Sequence, residues 1–191
     1  EVTQWAGIKV IGHDQAGALL QRHDTETLIH SGLFRTGKDG RPYYTLGRHR
    51  LVIPYLDRDG QTILMLQGRD IDGVSNHKYQ MLPGIETVLY NLQALDGAKT
   101  VHVCEGALDV LSALQLGMDS PLGIAGVSNF KDKYFSLLEP CRVVIAADAD
   151  GAGRDFYLKA KAHFLKLEKR IMALDWDKLK ADYGLPDGAQ V

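Results

Sequence analysis

The stretch that decides the fold is Ile145-Ala-Ala-Asp-Ala-Asp-Gly-Ala-Gly-Arg-Asp155. An apolar run, residues 142–147, leads into it, and a segment with a helical pattern, residues 152–169, follows it. Acidic residues between a strand and a helix are typical of the carboxyl end of a strand in an open parallel sheet, where ligand crevices lie. Alternate residues of an extended segment point the same way, so Asp148 and Asp150 can face one ligand.

A second acidic motif occupies an equivalent place upstream. Glu105 and Gly106 directly follow the apolar strand pattern of residues 100–104. Carboxylates that converge on one crevice repel each other unless a cation neutralises them, and their oxygens suit hard cations such as Mg²⁺ or Mn²⁺. We therefore predict that Glu105, Asp148 and Asp150 are metal ligands and catalytic residues of a phosphoryl-transfer site.

Structural roles for the same residues stay open. An Asp or Gly after a strand is commonly a turn or helix-capping residue, so either motif alone also fits a structural role. Asp109, one helical turn after Glu105, either supports the acids or interacts with the dipole of its own helix. Gly106 and Gly151 are predicted to lie directly beside the acids. The helix that begins near residue 152 points its N-terminus at the same place, which favours a bound phosphate.

Strand and helix patterns alternate from residue 98 onward. Apolar runs at 100–104, 121–126, 142–147 and 170–174 are separated by helical patterns at 107–116, 130–138 and 152–169. This alternation predicts an α/β domain, residues 98–191, with about four parallel strands flanked by helices.

The preceding part, residues 1–97, has a mixed pattern. Two short helices are predicted at 14–21 and 24–31, each opened by an Asp, and loops at 35–42 and 70–84. Apolar runs at 51–55 and 62–66 flank Asp57-Arg-Asp-Gly60, which predicts a β-hairpin. We expect a mixed α+β N-terminal subdomain.

The composition narrows the class of function. The net charge is only −2, so any nucleic-acid surface must be local. Such a surface is predicted in residues 35–50, which contain five basic residues and two tyrosines but only one acid. A solvated loop would have the same composition. The residues are Arg35, Lys38, Arg41, Arg48 and Arg50, with Tyr43, Tyr44 and Asp39. Two cysteines in apolar runs predict neither a disulfide scaffold nor zinc. The sequence contains no run of about 18 apolar residues, so we expect no membrane association and a cytoplasmic location.

At the acidic motifs the sequence resembles a known family. Val103-Cys-Glu-Gly-Ala-Leu-Asp-Val110 and residues 145–155 are similar to the signature of the Toprim domain, which bacterial primases, type IA and II topoisomerases and some nucleases share. The upstream half resembles the catalytic core of DnaG-type primases through motifs in the same order: Arg48-His-Arg-Leu-Val-Ile-Pro54, Asp59-Gly60, Gly68-Arg69, His77-Lys78-Tyr79, Pro83 and Leu89-Tyr-Asn91.

The resemblance implies a set of roles. Glu105, Asp148 and Asp150 match the metal-binding acids, expected to hold two Mg²⁺ or Mn²⁺ ions. Arg69 and Lys78 match basic residues that face nucleotide or template, and Arg48 and Arg50 match a basic pair at the start of the hairpin. The implied partners are a single-stranded DNA template, nucleoside triphosphates and helicase or other replication domains of a parent protein.

The chain also departs from the primase pattern. Primases usually carry a further acidic pair shortly after the Leu-Pro-Asp-Gly at 185–188, but Gln190 stands about where the first acid would be. The zinc-binding module that precedes the core in primases is not seen. We therefore expect a fragment of a longer protein, with weak or no activity by itself.

Three functions follow as hypotheses. The first is primer synthesis by metal-dependent nucleotidyl transfer. A Toprim nuclease, which cleaves DNA or RNA, would use the same acids to activate water. A non-catalytic Toprim module would only bind nucleic acid within a larger replication protein. The upstream half favours primase, because simple Toprim nucleases often begin near the first acidic strand.

Overall fold

A computed structural model describes residues 6–175, together with Lys178 and Ala181. The chain forms two compact units: the first contains Glu1–Leu56 and Thr62–Thr87, and the second contains Asp57–Gln61 and Val88–Val191. The predicted domain division after residue 97 stays a prediction. The predictions at 185–188 and at Gln190 lie outside the described residues.

The first unit is built on an antiparallel sheet. Its strands lie in the order β1-β4-β5-β6. The long hairpin of β4 and β5 pairs Val52 with Gly68 and Tyr55 with Met65, which confirms the predicted hairpin. The described elements of this unit are β1 (Lys9–Val10), α1 (His13–Arg22), α2 (Thr25–His30), β2 (Phe34–Thr36), β3 (Pro42–Tyr44), β4 (Leu51–Leu56), β5 (Ile63–Arg69) and β6 (Tyr79–Met81).

Two predicted loops of this unit were partly wrong. The predicted loop at 35–42 is the tip of a two-stranded sheet, in which β2 pairs with β3 and the rings of Phe34 and Tyr44 pack 5.6 Å apart. The predicted loop at 70–84 contains β6, which pairs with β5. Gly and Pro suggested loops in both cases, whereas cross-strand side-chain contacts stabilise the pairs.

The two short helices confirm the prediction except at one terminus. Asp24 caps α2, because its carboxylate accepts the Thr27 N–H at 2.8 Å. Asp14, however, lies inside α1, and Gly12 is the N-cap. The side-chain oxygen of Gln15 accepts the Gly12 N–H at 3.0 Å, so the helix begins earlier than an Asp cap would allow.

The second unit is a four-stranded parallel sheet in the order β10-β9-β7-β8. This confirms the predicted α/β domain with helices flanking a parallel sheet. Its described elements are a 3₁₀ turn (Leu92–Leu95), β7 (Thr100–Cys104), α3 (Ala107–Gln115), β8 (Pro121–Gly123), a second 3₁₀ turn (Val127–Asn129), α4 (Lys133–Leu138), β9 (Arg142–Ala146), α5 (Gly151–Lys166) and β10 (Met172–Ala173).

The strand order determines where the helices and the crevice lie. From the central pair of strands, the chain moves outward to β8 through α3 and, in the opposite direction, to β10 through α5. Right-handed crossovers therefore put α3 and α5 on opposite faces. The α4 helix shares the face of α5, where the Phe135 and Phe164 rings pack 5.8 Å apart. The direction of winding reverses between β7 and β9, which makes this the switch point where parallel sheets bind ligands.

None of the described helices is long and apolar enough to cross a membrane.

Candidate active site

The predicted acids end the two central strands. The adjacent strands β7 and β9 are in register, with Cys104 opposite Ala146. Glu105 directly follows the first strand, and Asp148 lies two residues beyond the end of the second. The fold thus brings both acidic motifs to the switch point of the sheet.

Glu105 bridges the two strand ends. Its Oε1 accepts the backbone N–H of Asp148 at 3.0 Å, which ties the two loops together. Gly106 is the N-cap of α3, so Asp109 lies in the first turn of that helix. The negative charge of Asp109 contributes to raising the pKa of Glu105, and its role as a supporting residue of the site stays a prediction.

Asp150 has the capping role that the sequence left open. It is the N-cap of α5, and its Oδ1 accepts the Gly153 N–H at 2.8 Å. A carboxylate has a second oxygen, so capping does not prevent Asp150 from binding a ligand. Its role as a metal ligand stays a prediction.

Sequence reasoning missed the part played by Gly153. A Cβ at this position would overlap the Asp148 carbonyl oxygen and lie 3.1 Å from Glu105 Oε1 and 3.2 Å from the Ala147 Cβ. Only glycine allows the first turn of α5 to sit so close to the acidic loop. The sequence signal was the second glycine of Gly151-Ala-Gly153, which stands in a helix although Gly disfavours helices.

Several acidic side chains lie close together at this site, so their negative charges repel one another. Burial raises the pKa of Glu105, and the charges of Asp148, Asp150 and Asp109 raise it further, against the hydrogen bond from the Asp148 N–H. A carboxyl whose ionisation is opposed by three neighbouring acids gains stability from a bound cation. The donor set therefore has the chemistry that a hard divalent cation needs.

The carboxylates of Glu105, Asp148 and Asp150 do not form a complete set of metal ligands as they are placed in the described residues. Within residues 6–175, 178 and 181, no group of three or more His, Cys, Asp or Glu side chains is placed to hold a metal ion. One oxygen of Glu105 and one of Asp150 accept backbone N–H groups instead. Each of these carboxylates has a second oxygen, which can still bind a cation.

A cavity of about 260 Å³ lies beside the acids. Its lining includes Asp148 and Asp150 together with Arg154 and Tyr157 of α5. The acidic motif of residues 145–155 contains Arg154, but Tyr157, one helical turn later, lies outside it and was not predicted. The cavity combines acidic, basic and aromatic groups next to a helix N-terminus, a setting suited to a phosphorylated ligand.

The predicted basic residues lie in the first unit. Arg48 is exposed. Arg50 is half-exposed and binds Asp72 through two hydrogen bonds of 2.6 Å, from Nε and Nη2. Asp70 holds the loop that carries Asp72, because its carboxylate accepts three backbone N–H groups, from Asp72, Gly73 and Ser75.

Arg69 and Lys78 meet at one tyrosine. Arg69 donates from Nη1 to the Tyr79 hydroxyl at 2.6 Å, and its guanidinium carbon lies 5.3 Å from the ring centre. The Lys78 ammonium is exposed and lies 5.9 Å from the same ring. Hydrogen-bonded pairing of β5 with β6 brings these residues together, since Arg69 is opposite Tyr79.

Comparisons with known proteins agree with this architecture. Residues 102–182 match the model of the Toprim-like family. The DNA primase of Haemophilus influenzae is 27% identical over 183 residues, which cover 90% of this chain and 29% of the relative. The DNA primase of Synechocystis is 30% identical over 147 residues, which cover 70% of this chain and 22% of the relative. The chain therefore spans less than a third of the length of these relatives.

A solved structure, the DnaG primase catalytic domain bound to single-stranded DNA, is 25% identical with a TM-score of 0.73. The similarity covers 99% of this chain and 63% of that structure.

The parallel sheet, its switch point and the acids that end its central strands define a Toprim domain. Together with the DNA primase relatives and the solved primase catalytic domain, the match identifies a Toprim domain with the fold of a DnaG-type primase catalytic core. Proteins of this family use divalent metal ions.

Proposed function

We propose that this chain is the catalytic core of a DNA primase, which makes short primers on single-stranded DNA by metal-dependent nucleotidyl transfer. The main support for the proposal is that Glu105 accepts the Asp148 N–H at the switch point of the sheet and so lies next to the loop that carries Asp148 and Asp150. The upstream half adds support, because the similarity to a primase catalytic domain extends over 99% of the chain.

The proposed metal ligands are Glu105, Asp148 and Asp150, and the proposed ions are two Mg²⁺ or Mn²⁺. When bound, such ions lower the pKa of a primer 3′-hydroxyl and neutralise the triphosphate of the incoming nucleotide. The acids contribute negative charge that holds the cations. The raised pKa of Glu105 also suits it to hold or pass on a proton.

Arg48, Arg50, Arg69 and Lys78 are proposed to hold the template and the nucleotide. Arginine forks match phosphate oxygens, and an aromatic ring close to cations, such as that of Tyr79, can stack with a base. The proposed partners are therefore single-stranded DNA and nucleoside triphosphates, with a helicase or other replication domains in the parent protein. Because its proposed work is DNA replication, a cytoplasmic location is part of the proposal.

Metal binding provides the direct test. Titration of the chain with Mn²⁺, followed by the paramagnetic signal of the free ion, should reveal binding that Asp148→Ala abolishes. Lys9→Ala, a change in an exposed residue of the first unit, is the matched control and should bind as the wild type does. Undiminished Mn²⁺ binding by Asp148→Ala would contradict the proposed site.

Product analysis distinguishes the chemistries. The chain, and a longer protein that contains it, are each incubated with single-stranded DNA, labelled nucleotides and Mn²⁺, and new oligonucleotides that vanish in Asp148→Ala are expected at least from the longer protein. Shortened DNA would instead support the nuclease hypothesis. If Mn²⁺ binds while the longer protein leaves DNA and nucleotides unchanged, the chain is a binding module and the proposal of catalysis is wrong.

A further inference from the structure

His49 is a buried histidine that lies just before β4 in the first unit, where it exposes only 3% of its surface. Its Nε2 lies 2.8 Å from the backbone carbonyl oxygen of His77, which is 28 residues further along the chain. A carbonyl oxygen can only accept a hydrogen bond, so Nε2 carries the proton and donates it. The ring therefore ties the start of β4 to the loop between β5 and β6.

The other ring nitrogen of His49 is an unused acceptor. Nδ1 is buried and has no hydrogen-bond partner among the described residues. An unpaired buried acceptor costs free energy, and an apolar side chain of similar size would avoid that cost. The presence of a histidine at this position is therefore explained by its Nε2–H bond and not by packing.

Close contact with β5 holds His49 in place. A Cβ at Gly68 of β5 would lie 2.6 Å from the His49 carbonyl oxygen and 2.7 Å from the His49 Cβ. The His49 N–H also donates to the Leu46 carbonyl oxygen at 2.8 Å. Because its backbone and Cβ are packed in this way, the imidazole extends from a fixed point.

The His49 hydrogen bond acts on the peptide group next to Lys78. The His77 carbonyl belongs to the planar peptide group that joins His77 to Lys78. The Lys78 carbonyl belongs to the following peptide group, and it accepts the Asp70 N–H at 3.0 Å. Hydrogen bonds thus hold the peptide groups on both sides of the Lys78 Cα, which fixes the direction in which its side chain leaves the backbone.

We infer that His49 is a positioning residue, which directs Lys78 toward a phosphate of the bound nucleotide or template. The inference rests on the role proposed above for Lys78. The Lys78 side chain is exposed, and ordering such a long side chain on a ligand costs entropy. When the backbone on both sides is already held, less freedom is lost on binding. His49 thus contributes to affinity although it is itself buried.

The test compares His49→Leu, Lys78→Ala and the double variant. Fluorescence anisotropy at one salt concentration measures binding of labelled oligo-dT and, separately, of a labelled non-hydrolysable nucleoside triphosphate with Mn²⁺. Lys78→Ala should weaken the ligand whose phosphate it contacts by about tenfold, as expected for one hydrogen bond to a charged group. His49→Leu should weaken the same ligand. The double variant should bind no more weakly than Lys78→Ala, because both changes remove one contact.

Two further variants separate positioning from general stability. His49→Gln places an amide N–H as far from Cβ as Nε2 is, so it should restore binding. Tyr55→Phe removes another buried hydrogen bond of this unit, to Gln67, and should bind both ligands as the wild type does although it is less stable. Circular dichroism verifies that the variants are folded. If His49→Leu does not fold, His49→Asn replaces it, because the shorter amide does not reach His77.

Unchanged affinity of folded His49→Leu for the ligand that Lys78→Ala weakens would overturn the inference and leave the proposed role of Lys78 intact. A further loss of affinity in the double variant, or no recovery in His49→Gln, would also overturn it. If Tyr55→Phe weakened binding as much as His49→Leu does, stability and not positioning would be the cause. If Lys78→Ala weakened neither ligand, both the proposed role of Lys78 and this inference would be wrong.

Discussion

Gly153 offers the sharpest test of how the acidic site is held together. In Gly153→Ala, the new methyl group would overlap the Asp148 carbonyl oxygen and press on Glu105 Oε1, 3.1 Å away. A carbonyl oxygen cannot rotate aside as a flexible side chain can. The loop that carries Asp148 must therefore move away from α5, or the helix must lift from the sheet.

The size of the effect is the balance of two contributions. Replacing a helical glycine by alanine stabilises a helix by up to about 1 kcal/mol. Overpacking destabilises by about 1–3 kcal/mol, and a backbone contact belongs at the upper end of that range. The net destabilisation should be about 2 kcal/mol, which for a chain of this size lowers the melting temperature by roughly 4–8 °C.

Differential scanning calorimetry measures the effect, with Gly151→Ala as the matched control in the same helix. A Cβ at Gly151 would have no atom of the described chain within 4 Å, so this variant should melt at or slightly above the wild-type temperature. Equal melting temperatures for the two alanine variants would refute the reasoning, because they would mean that the close approach at Gly153 is not needed.

Three further predictions concern charge, capping and a buried hydrogen bond. Because burial and neighbouring acids raise the pKa of folded Glu105 above its unfolded value, the wild type loses stability as the pH rises through that interval. Glu105→Gln should therefore melt at a higher temperature than the wild type at pH 7, whereas below about pH 4 calorimetry should find the same melting temperature for both proteins. An equal difference in melting temperature at both pH values would contradict this. Asp150→Ala should lose about 1 kcal/mol in urea unfolding because α5 loses its cap, whereas Asp150→Asn keeps the cap but also loses Mn²⁺ binding. Retained Mn²⁺ affinity in the Asn variant would show that Asp150 only caps. Tyr55→Phe removes a 2.9 Å hydrogen bond to the buried Gln67 side chain and should destabilise the first unit by about 1–3 kcal/mol, while unchanged urea unfolding would mean that Gln67 finds another partner.

Much of the fold could be predicted because its signals are local. The Asp-Gly step at 59–60 predicted the β4–β5 hairpin, and alternating apolar runs and helical patterns predicted the parallel sheet. Short edge pairs could not be predicted in this way. The pairing of β2 with β3, and of β5 with β6, depends on cross-strand contacts between residues whose neighbours are turn formers.

The candidate site was predictable in its residue types but not in its contacts. Strand ends in a parallel sheet predicted that Glu105 and Asp148 meet, because such ends converge at one edge. Asp150 caps α5, and Asp72 accepts hydrogen bonds from Arg50. Both contacts depend on distances between chemical groups, and the sequence does not give these distances. Asp72 in particular lies 22 residues from Arg50 and carries no motif.

The sequence by itself determined the order of the elements, the acidic ends of two strands and the presence of a basic segment upstream. These follow from periodicity, turn chemistry and charge, which act between near neighbours along the chain. Only the tertiary structure decided that β7 and β9 are adjacent, that Glu105 therefore holds the Asp148 N–H, and that Gly153 must lack a side chain. These features are set by packing between residues distant in sequence, where a contact of a few ångströms decides which groups can meet.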